Sequence, residues 1–243
     1  MAEVSCIIYD LDGTLIDSVA DIASALNRLR DHYGLAPLSI AEVRPYIGSG
    51  AEKLIERAMF GRVDPGQKRP GQVLPRTGAE LRDLVDHFRA LYSEDPVVET
   101  KLYPGVEYAL HWWNVRGTAQ AVLTNKPHDI TLSIIEHLGL VRVFDVVVGS
   151  GREDDMGRVL PGKPNPATID FILEQTGAPR QETWYVGDGV ADIETAANAG
   201  VPCVVILGGY TDPEHLVART QNLDLAVTSF EAAHELIAAR LTT

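Results

Sequence analysis

Short apolar runs and helical apolar stripes alternate along most of this chain. The run Cys6–Tyr9 is β-branched and aromatic and predicts a buried strand. Five later runs predict further strands, at residues 119–123, 143–148, 183–186, 203–207 and 225–227. Helical stripes that end at a glycine separate most of them, as at Gly139, Gly177 and Gly200. This alternation predicts an α/β fold, a doubly wound parallel sheet with helices on both faces.

Residues 17–100 break the alternation. Their apolar residues repeat only at helical spacing, and no strand is predicted among them. The three stripes are Ile22, Leu26 and Leu29, then Leu54, Ile55 and Ala58, then Leu81, Leu84, Val85, Phe88 and Leu91. We therefore predict a core formed by residues 1–16 and 101–243, with a helical domain of residues 17–100 inserted after the first strand. A Gly- and Pro-rich stretch at 61–78, carrying Lys68, Arg69 and Arg76, predicts a long loop within the insert.

Composition and charge exclude several classes of function. The chain has 243 residues, 45% of them hydrophobic, and a formal net charge of −13. This acidity argues against nucleic acid or an anionic membrane as the main partner. No apolar run approaches the roughly 18 residues of a membrane span. The first residues lack the features of a signal peptide, and Cys6 and Cys203 are expected to be buried, reduced thiols, so we expect a cytoplasmic protein.

Two aspartates follow the first predicted strand at once. Alternate side chains of a strand share a face, so Asp10 and Asp12 start out on the same side. Gly13 permits a sharp turn, and Thr14 adds a hydroxyl beside them. Such a carboxylate pair can bind a hard cation, and one member can act as a nucleophile while the other moves protons. An acidic turn after an edge strand is the alternative that Asp-x-Asp alone leaves open.

Three further polar strings lie where predicted strands end or helices begin. Thr124 and Asn125 follow a strand, where a hydroxyl and backbone N–H groups suit phosphate oxygens. Lys163 lies in a Gly-Lys-Pro loop and could neutralise a carboxylate or phosphate. Asp188 and Asp192, one helical turn apart, could complete a Mg²⁺ site. Helix caps and a solvated lysine would explain each string alone. Their joint placement at strand ends favours a site instead.

In this order the strings resemble the haloacid dehalogenase superfamily, and within it the phosphoglycolate-phosphatase-like enzymes. The matching strings are Asp10-Leu11-Asp12-Gly13-Thr14-Leu15, Thr124-Asn125-Lys126-Pro127, Gly162-Lys163-Pro164 and Gly187-Asp188 through Asp192. The resemblance covers nearly the whole chain, since the helical insert matches the family's cap domain, and it implies a Rossmann-like core. Its departures are mild: Tyr9 where Phe is usual, Gly189 where Ser is common, and the long 61–78 loop.

The resemblance implies phosphoryl transfer through an aspartyl-phosphate. Asp10 would attack phosphorus, and Asp12 would protonate the leaving oxygen and then activate water. Mg²⁺ would be held by the Asp10 carboxylate, the Asp12 backbone carbonyl and Asp188, with Asp192 in the outer shell. The residues implied to bind the phosphoryl group are Gly13, Thr14, Thr124, Asn125 and Lys163. An acid at position 12 fits phosphatases and phosphomutases, whereas dehalogenases tend to carry an aromatic residue there and phosphonoacetaldehyde hydrolases an alanine.

Substrate choice is expected to come from the cap, because the core motifs contact only the phosphoryl group. Gly48, Ser49 and Gly50 precede a predicted helix whose N–H groups could meet a substrate carboxylate. A flexible loop with Ser49 as helix cap is an equal alternative. Arg44 could bind the same anion or lie on the surface.

The sequence thus predicts a Mg²⁺-dependent phosphatase, a monomer or homodimer, whose partner is a small phosphorylated substrate, with 2-phosphoglycolate as a candidate. A sugar phosphomutase similar to β-phosphoglucomutase remains an alternative on the same scaffold. A phosphate-ester-binding module without turnover is the other, although Asp10, Asp12 and Lys163 argue against it.

Overall fold

A computed structural model describes residues 3–63, 68–71, 73–74, 78–220 and 225–242. Its main sheet has six strands in the order β5-β4-β1-β6-β7-β8, and every adjacent pair is parallel. The strands are β1 Cys6–Tyr9, β4 Ala119–Pro127, β5 Val146–Ser150, β6 Thr183–Gly187, β7 Cys203–Ile206 and β8 Ala226–Val227. The predicted parallel α/β fold is therefore confirmed.

Helices cover both faces of this sheet, as the alternation of β1 requires. Ile7 and Tyr9 pack into the cluster that contains α5, α6 and α10, whereas Cys6 and Ile8 pack against α7 and α8. The core helices are α5 Val106–Val115, α6 His128–His137, α7 Ala167–Thr176, α8 Val190–Ala199, α9 Pro213–Val217 and α10 Phe230–Ala238. The predicted stops at Gly177 and Gly200 are αL caps of α7 and α8, with φ values of 68° and 69°.

Two strand assignments differ from the sequence prediction by more than one residue. β5 begins at Val146, three residues later than expected, because Val143 lies in a turn that buries Phe144 against the core. β4 continues beyond residue 123 to Pro127, with a register shift after Leu123. The longer strand carries Thr124, Asn125 and Lys126 to the edge of the site.

A helical unit is inserted between β1 and the rest of the core. It contains α1 Val19–His32, α2 Ile40–Val43, a 3₁₀ turn Arg44–Tyr46, α3 Ala51–Phe60 and α4 Gly78–Glu94. α4 packs against both α1 and α3. We call this unit the cap. Part of the predicted 61–78 loop, including Arg76, lies outside the described residues.

The two chains that join the cap to the core pair with each other. β2 (Ile16–Asp17) and β3 (Lys101–Leu102) form an antiparallel ribbon that the sequence did not predict. The predicted domain boundary 16/17 falls within this ribbon, and the boundary 100/101 falls at the start of β3. Beside it, the buried Asp21 carboxylate of α1 accepts hydrogen bonds from the backbone N–H groups of residues 98, 99 and 100 and from the Thr100 hydroxyl. Both connections of the cap are thereby fixed at one place.

Two predictions from composition can be compared with the structure. Cys6 and Cys203 are free thiols, but Cys203 is only partly buried, since it opens β7 near the end of the sheet. Among the described residues, no helix is both long enough and apolar enough to span a membrane.

Candidate active site

The predicted site residues meet at the carboxyl ends of β1, β4 and β6. These strands are neighbours, with β1 in the centre, so the residues that follow them share one edge of the sheet. Asp10 and Asp12 follow β1, Thr124 and Asn125 lie at the end of β4, and Asp188 follows β6. The α/β topology therefore collects groups that are far apart in sequence.

Three buried carboxylates form the centre of the site. Asp10, Asp188 and Asp192 each offer an oxygen, and these oxygens all lie within 4.8 Å of one another. Burial raises the pKa of Asp10 well above its ordinary value, and the neighbouring charge of Asp192 adds to this effect. Burial and Asp192 likewise raise the pKa of Asp188 to about 7. Such a crowded all-oxygen cluster has the donor set and the negative charge that suit a hard divalent cation.

Lys163 supplies the positive charge within this cluster. Its ammonium lies 2.8 Å from Asp10 Oδ1 and 2.6 Å from Asp192 Oδ1, and its side chain is 2% exposed. Burial lowers the pKa of Lys163, but the charges of Asp10 and Asp192 outweigh burial and raise it overall. The Asp10 Oδ1 atom also accepts from the Leu11 N–H at 2.8 Å, whereas among the described residues no hydrogen bond reaches its Oδ2. The free oxygen of Asp10 is thus available for a ligand or a reacting atom.

The Asp188 carboxylate is held from two sides. The Thr14 hydroxyl donates to Oδ1 at 3.0 Å, and the Tyr210 N–H donates to Oδ2 at 2.7 Å. Gly13, at φ 87°, passes so close that a Cβ there would overlap Asp188, and the same holds for Gly209. Gly13 and Thr14, which the resemblance assigned to phosphate, therefore contact a carboxylate of the cluster in this structure.

Asp192 is surrounded by donors. Its Oδ1 accepts from Lys163 and from the Tyr185 hydroxyl at 2.9 Å, and its Oδ2 accepts from the Gly189 N–H at 2.8 Å. A Cβ at Gly187 would overlap this carboxylate. The position of Asp192 is thus fixed by the start of α8 and by a buried tyrosine.

The Asp12 side chain points to a different set of partners. Its Oδ1 accepts from the Ser18 hydroxyl at 2.5 Å and from Lys126 Nζ at 3.0 Å, and Oδ2 lies 3.3 Å from the same ammonium. Lys126 also donates to the Tyr92 hydroxyl of α4 at 2.7 Å. Burial raises the pKa of Tyr92 well above its ordinary value, so the phenol stays neutral and can accept this bond.

A small cavity of about 50 Å³ lies between these groups and the cap. Asp10, Asp12, Thr124, Asn125 and Lys126 line its core side. Its cap side is formed mainly by apolar side chains and small residues, namely Ile22, Ile47, Gly48, Gly50, Ala51, Leu54 and Phe88. Charge is thus concentrated on the core side of the cavity.

The four predicted cap residues occupy different places. Gly48 and Gly50 line the cavity, and the Gly48 carbonyl accepts from Asn125 Nδ2 at 3.3 Å. The Ser49 hydroxyl instead accepts from Arg57 at 3.2 Å and does not cap α3. Arg44 does not line the cavity: its guanidinium lies 5.0 Å from the centre of the Tyr210 ring and 3.8 Å from Asp17.

Sequence reasoning overlooked several residues that build the site. Lys126 lies in one of the matching strings, and its place shortly after a predicted strand is the signal that could have identified it. Ser18 lies three residues after the first matching string, and its hydroxyl contacts Asp12. Tyr92 and Tyr210 reach the site from distant positions, and no local pattern marks them. Tyr185 lies in β6, seven residues before Asp192, and was also missed.

Comparisons with known proteins agree with the fold. The family model of haloacid dehalogenase-like hydrolases matches residues 7–206. The chain belongs to this family and is a hydrolase of the haloacid dehalogenase type.

Particular relatives share most of its length. The phosphoglycolate phosphatase of Pseudomonas fluorescens (strain Pf0-1) is 33% identical over 218 residues, covering 89% of this chain and 74% of the relative. Phosphoglycolate phosphatase 1 of Pseudomonas aeruginosa is 33% identical over 205 residues, covering 84% and 70%. A crystal structure of a predicted phosphoglycolate phosphatase from Haemophilus somnus 129PT is 28% identical, covers both chains fully and has a TM-score of 0.80. The resemblance inferred from the motifs is confirmed.

Proposed function

We propose that this protein is a Mg²⁺-dependent phosphatase that hydrolyses 2-phosphoglycolate through an aspartyl-phosphate on Asp10. The observation that carries the proposal is the position of Asp10. It lines the cavity, keeps Oδ2 free of hydrogen bonds from the described residues, and lies beside Lys163 within a three-carboxylate cluster. A carboxylate that attacks a phosphate dianion needs this kind of local positive charge to offset repulsion.

The metal would be held by oxygen ligands of the core. The Asp10 and Asp188 carboxylates and the Asp12 backbone carbonyl fit the all-oxygen donor set that Mg²⁺ prefers. Asp192, whose oxygens already accept from Lys163, Tyr185 and Gly189, would support them from the outer shell. When bound, the cation supplies charge neutralisation between the phosphoryl oxygens and the carboxylates.

The protein's own groups carry the covalent steps. An Asp10 oxygen forms a bond to phosphorus while the bond from phosphorus to the substrate's alkoxy oxygen breaks, and Asp12 gives that oxygen a proton. Asp12 then takes a proton from water, the water oxygen attacks phosphorus, and the Asp10–phosphorus bond breaks to restore the carboxylate. Lys163, Thr124 and the Asn125 N–H would bind the transferring phosphoryl oxygens throughout.

The cap side of the cavity supports a small anionic substrate. Gly50 and Ala51 line the cavity at the start of α3, where no side chain caps the helix. Free N–H groups of a helix start favour an anion such as the carboxylate of 2-phosphoglycolate. The relatives named phosphoglycolate phosphatase support the same choice.

A panel of phosphorylated metabolites tests the proposal. With Mg²⁺ present, we expect 2-phosphoglycolate to give the highest kcat/KM, well above sugar phosphates and nucleotides. A higher kcat/KM for another metabolite would show that 2-phosphoglycolate is not the preferred substrate, and the phosphatase activity would stand. Isomerisation of a hexose 1-phosphate without net phosphate release would show that the protein is a phosphomutase and refute the phosphatase activity.

A further inference from the structure

Lys126 is a charged residue of the site to which the mechanism above gives no role. Its side chain is 3% exposed, and its ammonium contacts both oxygens of Asp12, at 3.0 and 3.3 Å. Together with the Ser18 hydroxyl, it holds the Asp12 carboxylate from two directions. Since a carboxylate can rotate about its side-chain bonds, two such contacts select one orientation.

The partner on the far side of Lys126 belongs to the cap. The ammonium donates to the Tyr92 hydroxyl at 2.7 Å and lies 4.6 Å from the centre of the same ring. Tyr92 is on α4 and is 2% exposed, whereas Lys126 is the last residue but one of β4 in the core. A chain of contacts from Asp12 through Lys126 to Tyr92 thus joins a core carboxylate to a cap helix.

This chain has a physical consequence for the cap. A buried ammonium is stable only while its protons have partners. The Tyr92 hydroxyl and ring provide one of them only while α4 lies over the core. Without that partner, the conformation in which Lys126 contacts Asp12 is less stable.

We propose that Lys126 is a positioning residue for Asp12, and that Tyr92 makes this positioning depend on the cap. The inference rests on the proposed function, because in that mechanism Asp12, the residue that Lys126 positions, transfers the protons. Two other roles are possible for a lysine in this place. It could bind the substrate's carboxylate directly, or it could only stabilise the fold.

Leaving groups separate the three roles. An alkyl phosphate needs a proton on its leaving oxygen, whereas an activated aryl phosphate such as p-nitrophenyl phosphate does not. Loss of positioning slows phospho-enzyme formation from all alkyl phosphates and spares the aryl phosphate. Loss of a substrate contact affects 2-phosphoglycolate but spares ethyl phosphate, which has no carboxylate. Loss of structure affects every substrate alike.

The first variant is Lys126→Met, which keeps the length of the side chain and removes its charge. In rapid-mixing experiments we expect alcohol release from 2-phosphoglycolate and from ethyl phosphate to slow by about 10- to 100-fold. The burst of p-nitrophenol should change by less than about threefold. Equal losses for all three substrates, or a loss confined to 2-phosphoglycolate, would overturn the proposal.

The second variant is Tyr92→Phe, which removes one hydroxyl and keeps the ring, so it is the safer test if Lys126→Met folds poorly. We expect the same preference for slowing alkyl phosphates, at about three- to tenfold. Tyr46→Phe is the matched control, because Tyr46 is a buried cap tyrosine whose hydroxyl donates to the Lys68 carbonyl. It should leave the ratio of alkyl to aryl rates unchanged. An unchanged ratio in Tyr92→Phe would refute the cap's part in the proposal.

Failure of the proposed function would be visible elsewhere. If the wild-type protein hydrolyses ethyl phosphate but not 2-phosphoglycolate, the proposed substrate is wrong. The comparison of alkyl with aryl phosphates still tests the role of Lys126 in that case. A wild-type protein that hydrolyses no phosphate ester disproves the function before any variant is made.

Discussion

The two sides of the cavity differ in the groups that line them. The core side has Asp10, Asp12 and Lys126, with Lys163 directly behind Asp10. The cap side has apolar side chains such as Leu54 and the backbone at the start of α3. Charged groups at fixed distances can perform a reaction, whereas apolar side chains and the backbone N–H groups of a helix start can only select which ligand binds. We infer that chemistry and selection are divided between core and cap, and variants on each side can test this division.

The largest effect is expected on the core side, at Asp10. An amide cannot replace a carboxylate as nucleophile, so Asp10→Asn should lower kcat by at least about a thousandfold. The fold should persist, since the substitution removes a charge from a crowded acidic cluster. Phosphate release measures the loss of kcat, and a thermal unfolding curve shows whether the fold persists. Substantial turnover by the folded variant would refute the covalent route.

Metal removal should have an effect nearly as large. Excess chelator should reduce activity by at least about a hundredfold, because the Asp10, Asp188 and Asp192 carboxylates then repel each other and the substrate. Mg²⁺ should restore activity, whereas Ca²⁺, with its longer and more variable bonds, should do so poorly. Mg²⁺ should also raise the Tm of the wild type, and this rise should shrink in Asp188→Asn. Full activity in chelator would contradict the metal site.

Asp12 should have a large effect that depends on the leaving group. Asp12→Asn should slow alkyl phosphate hydrolysis by about 10²- to 10⁴-fold, the usual contribution of a proton-transferring side chain. With p-nitrophenyl phosphate, rapid mixing should show a burst of phenol followed by a slow steady state, because hydrolysis of the phospho-enzyme still needs a base. Equal losses and no burst would mean that Asp12 acts through the metal alone.

The same contrast explains what the sequence could predict. Asp10 and Asp188 are attached to strand ends, and each strand is marked by an apolar run, so their convergence followed from topology. Lys163 reaches the same place from the loop that precedes α7. The cap offers no such register. Its helices were predicted from apolar spacing, but that spacing does not say which residues face the site, and Arg44 proved to lie outside the cavity.

Features that depend on tertiary contact could not be predicted at all. The β2–β3 ribbon has two residues a strand, too few for a periodic pattern. Val143 looked like strand because it opens an apolar run, although it lies in a partly exposed turn and only the next residue, Phe144, is buried. Tyr92 and Tyr210 contact the site through folding of distant segments, and the sequence around them carries no motif.

A moderate effect is expected on the cap side, at Gly50. Its φ of 88° disfavours any Cβ, so Gly50→Ala should disturb the start of α3 at the cavity. We expect KM for 2-phosphoglycolate to rise by about five- to tenfold, with less change for p-nitrophenyl phosphate, since strain of this kind costs about 1–2 kcal/mol. Gly34→Ala is the control, because Gly34 has φ 65° in a cap turn that does not line the cavity. Similar kinetics in both variants would remove the start of α3 from substrate selection.

The smallest effect is expected at Arg44. Its guanidinium lies 3.8 Å from Asp17 of β2 and over the Tyr210 ring, so it contacts the junction of cap and core and does not line the cavity. Partly exposed ion pairs of this kind contribute about 0–1 kcal/mol. Arg44→Ala should therefore change kcat/KM for 2-phosphoglycolate and for p-nitrophenyl phosphate alike, by less than about fivefold. A tenfold rise in KM confined to 2-phosphoglycolate would instead assign Arg44 to the substrate's carboxylate. That result would require Arg44 to reach the cavity in the substrate complex, and it would add a cap side chain to the backbone N–H groups of α3 as a partner of the substrate's carboxylate.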